Sequence, residues 1–185
     1  GLESQYTYQT MSAGKAGTVY LGDFTSELTL ANTIAYADST TIPFGLTLYY
    51  NSANKNVFFT DNESAGIHSK DYSKMICGAG WKTSIQETVR EETVETEDSS
   101  LTYFVYQDSD GSEHYFLKTG AGSPYPDEDG LGLTVEVSGS TITMKDLKGN
   151  YKEFYNGYLT KIADTNGNAI YLAYNGYNYS ASATT

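Results

Sequence analysis

The scarcities of this chain narrow its function first. One cysteine, Cys77, stands among 185 residues, so no intrachain disulfide can form and thiol usage does not reveal the compartment. Cys77 lies in Met75-Ile76-Cys77-Gly78-Ala79-Gly80-Trp81, where a small buried apolar side chain is the simplest role. A reactive thiol needs an electropositive niche that these neighbours do not supply. Neither histidine, His68 or His114, has a Cys or His at metal-ligand spacing, which argues against zinc. No nucleophile elbow occurs. Paired acids such as Glu91-Glu92 would need a cleft and a fixed separation to act on glycosides. No catalytic residue and no cofactor are therefore expected. No apolar run approaches the ~20 residues of a membrane-spanning helix. Lysine and arginine total 11 against 23 Asp and Glu, for a net charge of −12. Such a surface repels nucleic-acid phosphates and anionic lipid. Neither nucleic-acid binding nor membrane insertion is expected, and the charge reads as solubility outside the cell.

Gly and Tyr are abundant, at 18 each, while Pro occurs 3 times. Tyr, Thr and Val suit pleated, half-buried surfaces and Gly punctuates turns, so the expected fold is all-β, built from antiparallel sheets. Residues 1–99 read as an N-terminal β region and 100–185 as a β-hairpin meander, with one continuous domain as the alternative. Glu3 to Gly17 reads as an extended arm. Thr18 to Gly22 and Phe24 to Tyr36 read as a strand pair. Phe44 to Tyr50 alternates apolar and small residues after Pro43, as a half-buried strand does. Asn51 to Lys74 is polar and irregular, with one helical turn expected near Ser69 to Met75. Lys82 to Glu95 reads as one long, solvated edge strand whose charges block edge-to-edge pairing. Leu131, Leu133, Val135 and Val137 share a parity and predict another strand.

Three segments align without gaps: Tyr106 to Phe116, Met144 to Phe154 and Ile162 to Leu172. Each has an apolar residue two before an Asp, a Gly three after that Asp, and an apolar residue five beyond the Gly. The anchor pairs are Asp108 with Gly111, Asp146 with Gly149, and Asp164 with Gly167. An Asp opening a turn accepts a backbone N–H two residues on, and Gly supplies the left-handed residue near its end. Asn156-Gly157 is a two-residue hairpin signal, since both positions need φ > 0. Asp108-Ser109-Asp110-Gly111 and Asp127-Glu128-Asp129-Gly130 also look like calcium loops, but lack a full ligand set. Turn capping is the first reading of both and a weak calcium site the second. The short period signals a repeat array.

The run Gly157-Tyr158-Leu159-Thr160-Lys161-Ile162-Ala163-Asp164-Thr165-Asn166-Gly167-Asn168-Ala169-Ile170, continuing to Tyr174-Asn175, resembles the RHS/YD repeat. Tyr158 stands where that repeat has a basic residue. Upstream, Ser12 to Thr18, Gly78 to Lys82 and Asp127 to Thr134 are similar to the segment preceding the repeats in Gram-positive RHS-repeat proteins. The resemblance implies a secreted or cell-surface, wall-associated protein whose many repeats spiral into a β-shell able to enclose a C-terminal toxin. It implies a non-catalytic structural module that starts or caps the shell, with the remainder of the same polypeptide as its partner. Gly1 and the terminal Ser180-Ala181-Ser182-Ala183-Thr184-Thr185 read as the ends of an excised piece, with targeting signals outside it. Trp81, Tyr158, Tyr171 and Tyr177 are the aromatics that could stack on a cell-surface glycan or protein. Pairing across neighbouring strands is the other reading of these rings.

Overall fold

In the computed structural model every strand among the described residues pairs antiparallel. The structure describes residues 8–22, 28–37, 42, 44–52, 80–95, 99–128, 130–175 and 178–184. The first five strands are β1 (Tyr8–Ser12), β2 (Thr18–Gly22), β3 (Leu28–Ala37), β4 (Phe44–Asn51) and β5 (Trp81–Thr83), which form one sheet in that order. The region read as an extended arm therefore contains a strand. A 3-10 turn at Gly14–Ala16 reverses the chain so that Met11 pairs with Val19. The expected helical turn at Ser69 to Met75, together with Cys77 and His68, lies outside the described residues.

The second sheet holds β6 (Thr88–Glu95), β7 (Ser100–Gln107), β8 (Glu113–Leu117), β9 (Tyr125–Pro126), β10 (Thr134–Ser138), β11 (Thr141–Lys145), β12 (Tyr151–Tyr155), β13 (Tyr158–Ala163), β14 (Ala169–Asn175) and β15 (Asn178–Thr184). Its main path runs β8-β7-β6-β13-β12-β11-β10-β9. The two ends of that path meet where the Glu128 N–H, just past β9, donates to the Tyr115 carbonyl of β8 at 3.0 Å. Eight strands thus make a nearly closed barrel, an arrangement that removes sheet edges. β10 to β15 form the consecutive hairpin meander.

Alternation along each strand sends one parity inward. Phe104, Phe116, Phe154, Leu159, Val89 and Val135 are each 2% exposed or less, and form the centre of the core. Cross-strand register carries one inward row across the wall: Val135 opposite Met144, Ile142 opposite Phe154, Phe154 opposite Leu159. The strand read from Leu131 starts later, at Thr134. Gly130 and Gly132 have φ of +77° and +73°, which breaks the extended run and leaves Leu131 exposed.

The segment read as one solvated edge strand is split: Trp81–Thr83 is the edge strand β5 of the first sheet and Thr88–Glu95 is β6 of the second. The Gln86 N–H turns back to the Thr83 carbonyl at 3.0 Å, ending β5. β6 then pairs with β7 along its whole length and meets β13 only at Thr88, opposite Tyr158. Its near half is buried, and only Thr93 to Glu95 are exposed. The acidic pattern resembled an edge because β6 spends its charges on specific cations, described below.

The seam between β6 and β13 is short. Val89 N–H donates to the Gly157 carbonyl at 2.9 Å and Leu159 N–H to the Glu87 carbonyl at 3.3 Å. Asn156 and Gly157 both have positive φ, +48° and +84°, the signature of the tight hairpin turn. A Cβ on Gly157 would lie 2.9 Å from the Val89 carbonyl oxygen, whereas one on Gly139 would meet open space. Gly157→Ala is therefore expected to lower unfolding free energy by about 1–3 kcal/mol in urea titration. Gly139→Ala, also at positive φ but uncrowded, should cost about 1 kcal/mol.

Candidate functional site

The barrel holds a polar cluster at one end, and each member arrives there by strand parity. Phe154 faces inward on β12, so Lys152, two residues before it, does too; its cross-strand partner is Met144. On β7, Tyr106 follows Phe104 with the same parity and pairs with Val89 on one side and His114 on the other. Glu87 enters from the turn before β6. It is 5% exposed and accepts two hydrogen bonds on Oε2, from Tyr106 Oη at 2.8 Å and Lys152 Nζ at 2.7 Å. Lys152 also donates to Tyr106 Oη at 3.0 Å, and its amine lies 5.5 Å from the Tyr106 ring centroid. A carboxylate this buried is tolerable only with such charged and polar donors.

His114 stacks on Tyr106, with ring centroids 5.4 Å apart, and its Nε2 lies 3.1 Å from Asp108 Oδ2. Lys82, from the other sheet, is 3% exposed and donates its amine to the Asp108 carbonyl oxygen. Burial pushes the Lys82 amine down to about 8, against the opposing pull of Asp108, Glu87, Asp110 and Glu113. Burial and the Glu87 carboxylate push the Tyr106 phenol well above its ordinary value. The raised phenol keeps Tyr106 a hydrogen-bond donor. The cluster thus ties β5, the turn before β6, β7, β8 and β12 together at one end of the barrel.

Asp108 opens the loop to β8 as well as serving this cluster. Its Oδ1 accepts the N–H groups of Asp110, Gly111 and Ser112 at 3.0, 3.1 and 3.1 Å. Ser112 N–H is shared with Asp110 Oδ1 at 2.9 Å, so two carboxylates face one donor. Burial would raise Asp108, but His114, Asp110 and Lys82 outweigh it and hold the carboxyl low, at about 2. Asp110 takes the opposite course: burial first, then the neighbouring Asp108, lift it to about 6.

The other two loops repeat the design. Asp146 Oδ1 accepts from Lys148 N–H at 2.8 Å and Asn150 N–H at 2.9 Å, and Oδ2 from Asn150 Nδ2 at 2.8 Å. Asp164 Oδ1 accepts from Asn166 N–H at 2.8 Å and Asn168 N–H at 3.0 Å, and Oδ2 from Asn168 Nδ2 at 2.7 Å. Gly111, Gly149 and Gly167 have φ of +97°, +88° and +89°. Where the later loops use Asn on Oδ2, the first uses His114. The second calcium-like loop is also a cap: Asp127 receives the N–H groups of Leu131, at 2.9 Å, and Leu133. Among the described residues no group of three or more His, Cys, Asp or Glu is placed to hold a metal ion.

The stacking candidates separate. Trp81 opens β5, half-buried, 5.2 Å from the Tyr50 ring. Tyr158 lies on β13 of the barrel, opposite Tyr155, and Tyr171 on β14 beside it, opposite Lys161. The Lys161 amine bonds Tyr151 Oη at 2.7 Å and lies 5.6 Å from the Tyr171 ring centroid. Tyr177 lies outside the described residues. Sequence reasoning missed Lys82, Glu87, Tyr106, His114 and Lys152 as a group. One signal was present: Lys152 shares the parity of Phe154, so a charge on the core-facing side required a partner.

Comparison with protein-family models, with curated proteins and with solved structures finds no match. Among the described residues no helix is long and apolar enough to cross a membrane.

The Asp110 shift has a definite sign. Its folded value, about 6, lies above the ordinary 3.8, so the folded state binds the proton more tightly. That stability is complete below the unfolded value and is lost as pH rises through about 6. Asp108 acts in the opposite sense, losing stability as pH falls from 3.8 toward about 2. Urea unfolding across pH 4 to 7 should show a decline that Asp110→Asn removes. An unchanged slope in that variant would assign the dependence elsewhere.

Proposed function

We propose that this chain is a non-catalytic structural module of a secreted or cell-surface RHS/YD-repeat protein, starting or capping a β-shell scaffold. The observation that carries this reading is the recurrence of one loop design after β7, β11 and β13. In each, an Asp carboxylate gathers backbone N–H groups ahead of a left-handed Gly. A loop that uses its acidic side chain to hold its own backbone is a building unit, and repeated units stack to supply the burial that one hairpin lacks. The Glu87 cluster supports the same reading, because Glu87, Tyr106, Lys152, Asp108, His114 and Lys82 direct hydrogen bonds to one another across five segments. A nearly closed barrel that takes in the first strands of the meander suits the atypical terminal unit of an array.

Glycan or protein adhesion through exposed aromatics is a second reading. Tyr155 and Tyr171, 54% and 43% exposed on one outer face, favour it. A glycan array separates the two: saturable binding abolished by Tyr171→Ala would replace the scaffold reading. The direct test of the scaffold is limited proteolysis of the native polypeptide, with the fragments identified by mass spectrometry. The expected product is a resistant array of further repeats continuous with this chain. A native polypeptide without such repeats overturns the proposal.

The loops give a stability test as well. The Asp146 and Asp164 carboxyls are held below their ordinary values, chiefly by Asn150 and Asn168. Asp146→Ala and Asp164→Ala should each lower the melting temperature. Asp→Asn at either site should lower it less, since an amide oxygen still accepts the loop N–H groups.

A further inference from the structure

Three Asn-Gly pairs occur in the chain, at 156–157, 166–167 and 175–176, the last reaching beyond the described residues. In such a pair the glycine's backbone nitrogen lies one residue from a side-chain amide, and no Cβ shields it. Attack on that amide requires the peptide between the two residues to swing round, and any hydrogen bond it makes resists the swing. The fold treats the two described pairs differently. In the loop between β13 and β14 the Gly167 N–H donates to the Asp164 carbonyl at 3.4 Å, and the Asn166 N–H to Asp164 Oδ1 at 2.8 Å. In the turn between β12 and β13 the bonds flank the central peptide instead. The Asn156 N–H donates to the Ser140 carbonyl at 3.1 Å, and the Gly157 carbonyl accepts from Val89. Among the described residues the central peptide itself, the Asn156 carbonyl and the Gly157 N–H, makes no hydrogen bond.

Positive φ at both Asn156 and Gly157 marks a type I′ turn. Turning its central peptide over gives type II′, the other turn that joins two strands through two residues, so β12 and β13 keep their places. The flip carries the first turn residue to a ψ of about −120°. There the Gly157 nitrogen eclipses the Asn156 Cβ, as closure of a five-membered ring requires. Asn156 is exposed, so water reaches the site. We infer that the Asn156-Gly157 turn is a self-modification site, where the Asn156 side-chain nitrogen is lost as ammonia and isoaspartate or aspartate takes its place. Base removes the Gly157 proton, and the nitrogen attacks Asn156 Cγ. The Cγ–Nδ2 bond breaks, and the leaving nitrogen takes up protons from water to depart as ammonia. Water then adds to one of the two ring carbonyls, and the C–N bond at that carbon breaks. Opening at the original backbone carbonyl leaves the chain running through Cβ and Cγ, one atom longer, as isoaspartate. An extra atom in a two-residue turn displaces the Gly157 carbonyl from Val89 and the Asn156 N–H from Ser140. Ageing thus loosens the barrel where β6 meets β13. This chemistry is independent of the scaffold reading.

The folded 185-residue chain, held at mildly alkaline pH, is sampled over time by peptide mapping with isoaspartate detection. Isoaspartate and aspartate should accumulate at 156, with release of ammonia, at least about tenfold faster than at 166, the factor that one resisting hydrogen bond implies. In urea the two pairs should convert at comparable rates, because the loop bonds are gone. Hydrogen exchange reads the consequence: the Val89 and Leu159 amides should exchange faster in the isoaspartate fraction than in fresh chain. Asn156→Asp adds the charge without the extra backbone atom, and Asp-Gly suits the same turn. Freshly purified, that variant should keep both amides protected. Asn156 intact in the folded chain, equal rates at 156 and 166 in the fold, or a difference between them that persists in urea would overturn the inference. So would unchanged exchange at Val89 in the isoaspartate fraction, or exchange just as fast in Asn156→Asp. None of these outcomes bears on whether further repeats adjoin the chain.

Discussion

The barrel depends on one narrow seam. Strands β6 and β13 are joined by Val89 N–H to the Gly157 carbonyl and Leu159 N–H to the Glu87 carbonyl, at the mouth of a two-residue turn. β13 must then leave β6 and serve β14. The register shift beside Glu153 and Phe154 provides the change of direction, since an extra residue bends and twists its strand. Thr160 anchors the bulge by donating its hydroxyl to the Glu153 carbonyl at 3.1 Å. A seam with so few backbone bonds needs side-chain support, and Glu87 gives it from immediately beside β6 by holding Lys152 of β12 and Tyr106 of β7. Backbone closure and the polar cluster are one construction.

The chemistry of that construction is conservative. Each charge near the barrel end is set against an opposite charge or a directed donor: Glu87 with Lys152, Asp108 with His114, Arg90 with Glu92 at 2.7 Å and Glu113 at 3.1 Å. Arg90 is 4% exposed, and an arginine that deep requires such a pair of carboxylates. The acidic surplus of the chain is thus partly structural, since several carboxylates orient backbone amides and buried cations.

How much of this could be read in advance depended on how local the determining contacts are. Asn156-Gly157 and the Asp-to-Gly spacing write their turns within five residues, and the strands from Thr141 to Ala163 follow from those turns and from alternation. The all-β class and the meander were legible for that reason. The place of β6 was not, because its neighbour β13 lies far along the chain and its acids resemble edge protection until their cations are seen. Trp81 and Tyr158 looked alike as aromatics, yet they sit in different sheets. The Glu87 cluster was legible only as a single anomaly, Lys152 on an inward parity, with partners that long-range pairing alone could name.

Glu87 and Lys152 stand 65 residues apart, while the hairpins from β10 to β14 join neighbours only a few residues distant. Loop-closure entropy must be met before a distant contact returns anything, so nearby pairings form fast and remote ones slowly. The order of assembly is thereby written into the topology. On that argument the hairpins zip first, those after β11 and β13 under Asp-capped loops, and the barrel exists only once β6 arrives to meet β13. Until then the inward faces of β12 and β13, with Phe154 and Leu159, stand open to water and to other unfinished chains. The same closure that hides the core in the finished molecule makes its last moments of folding the most exposed to aggregation.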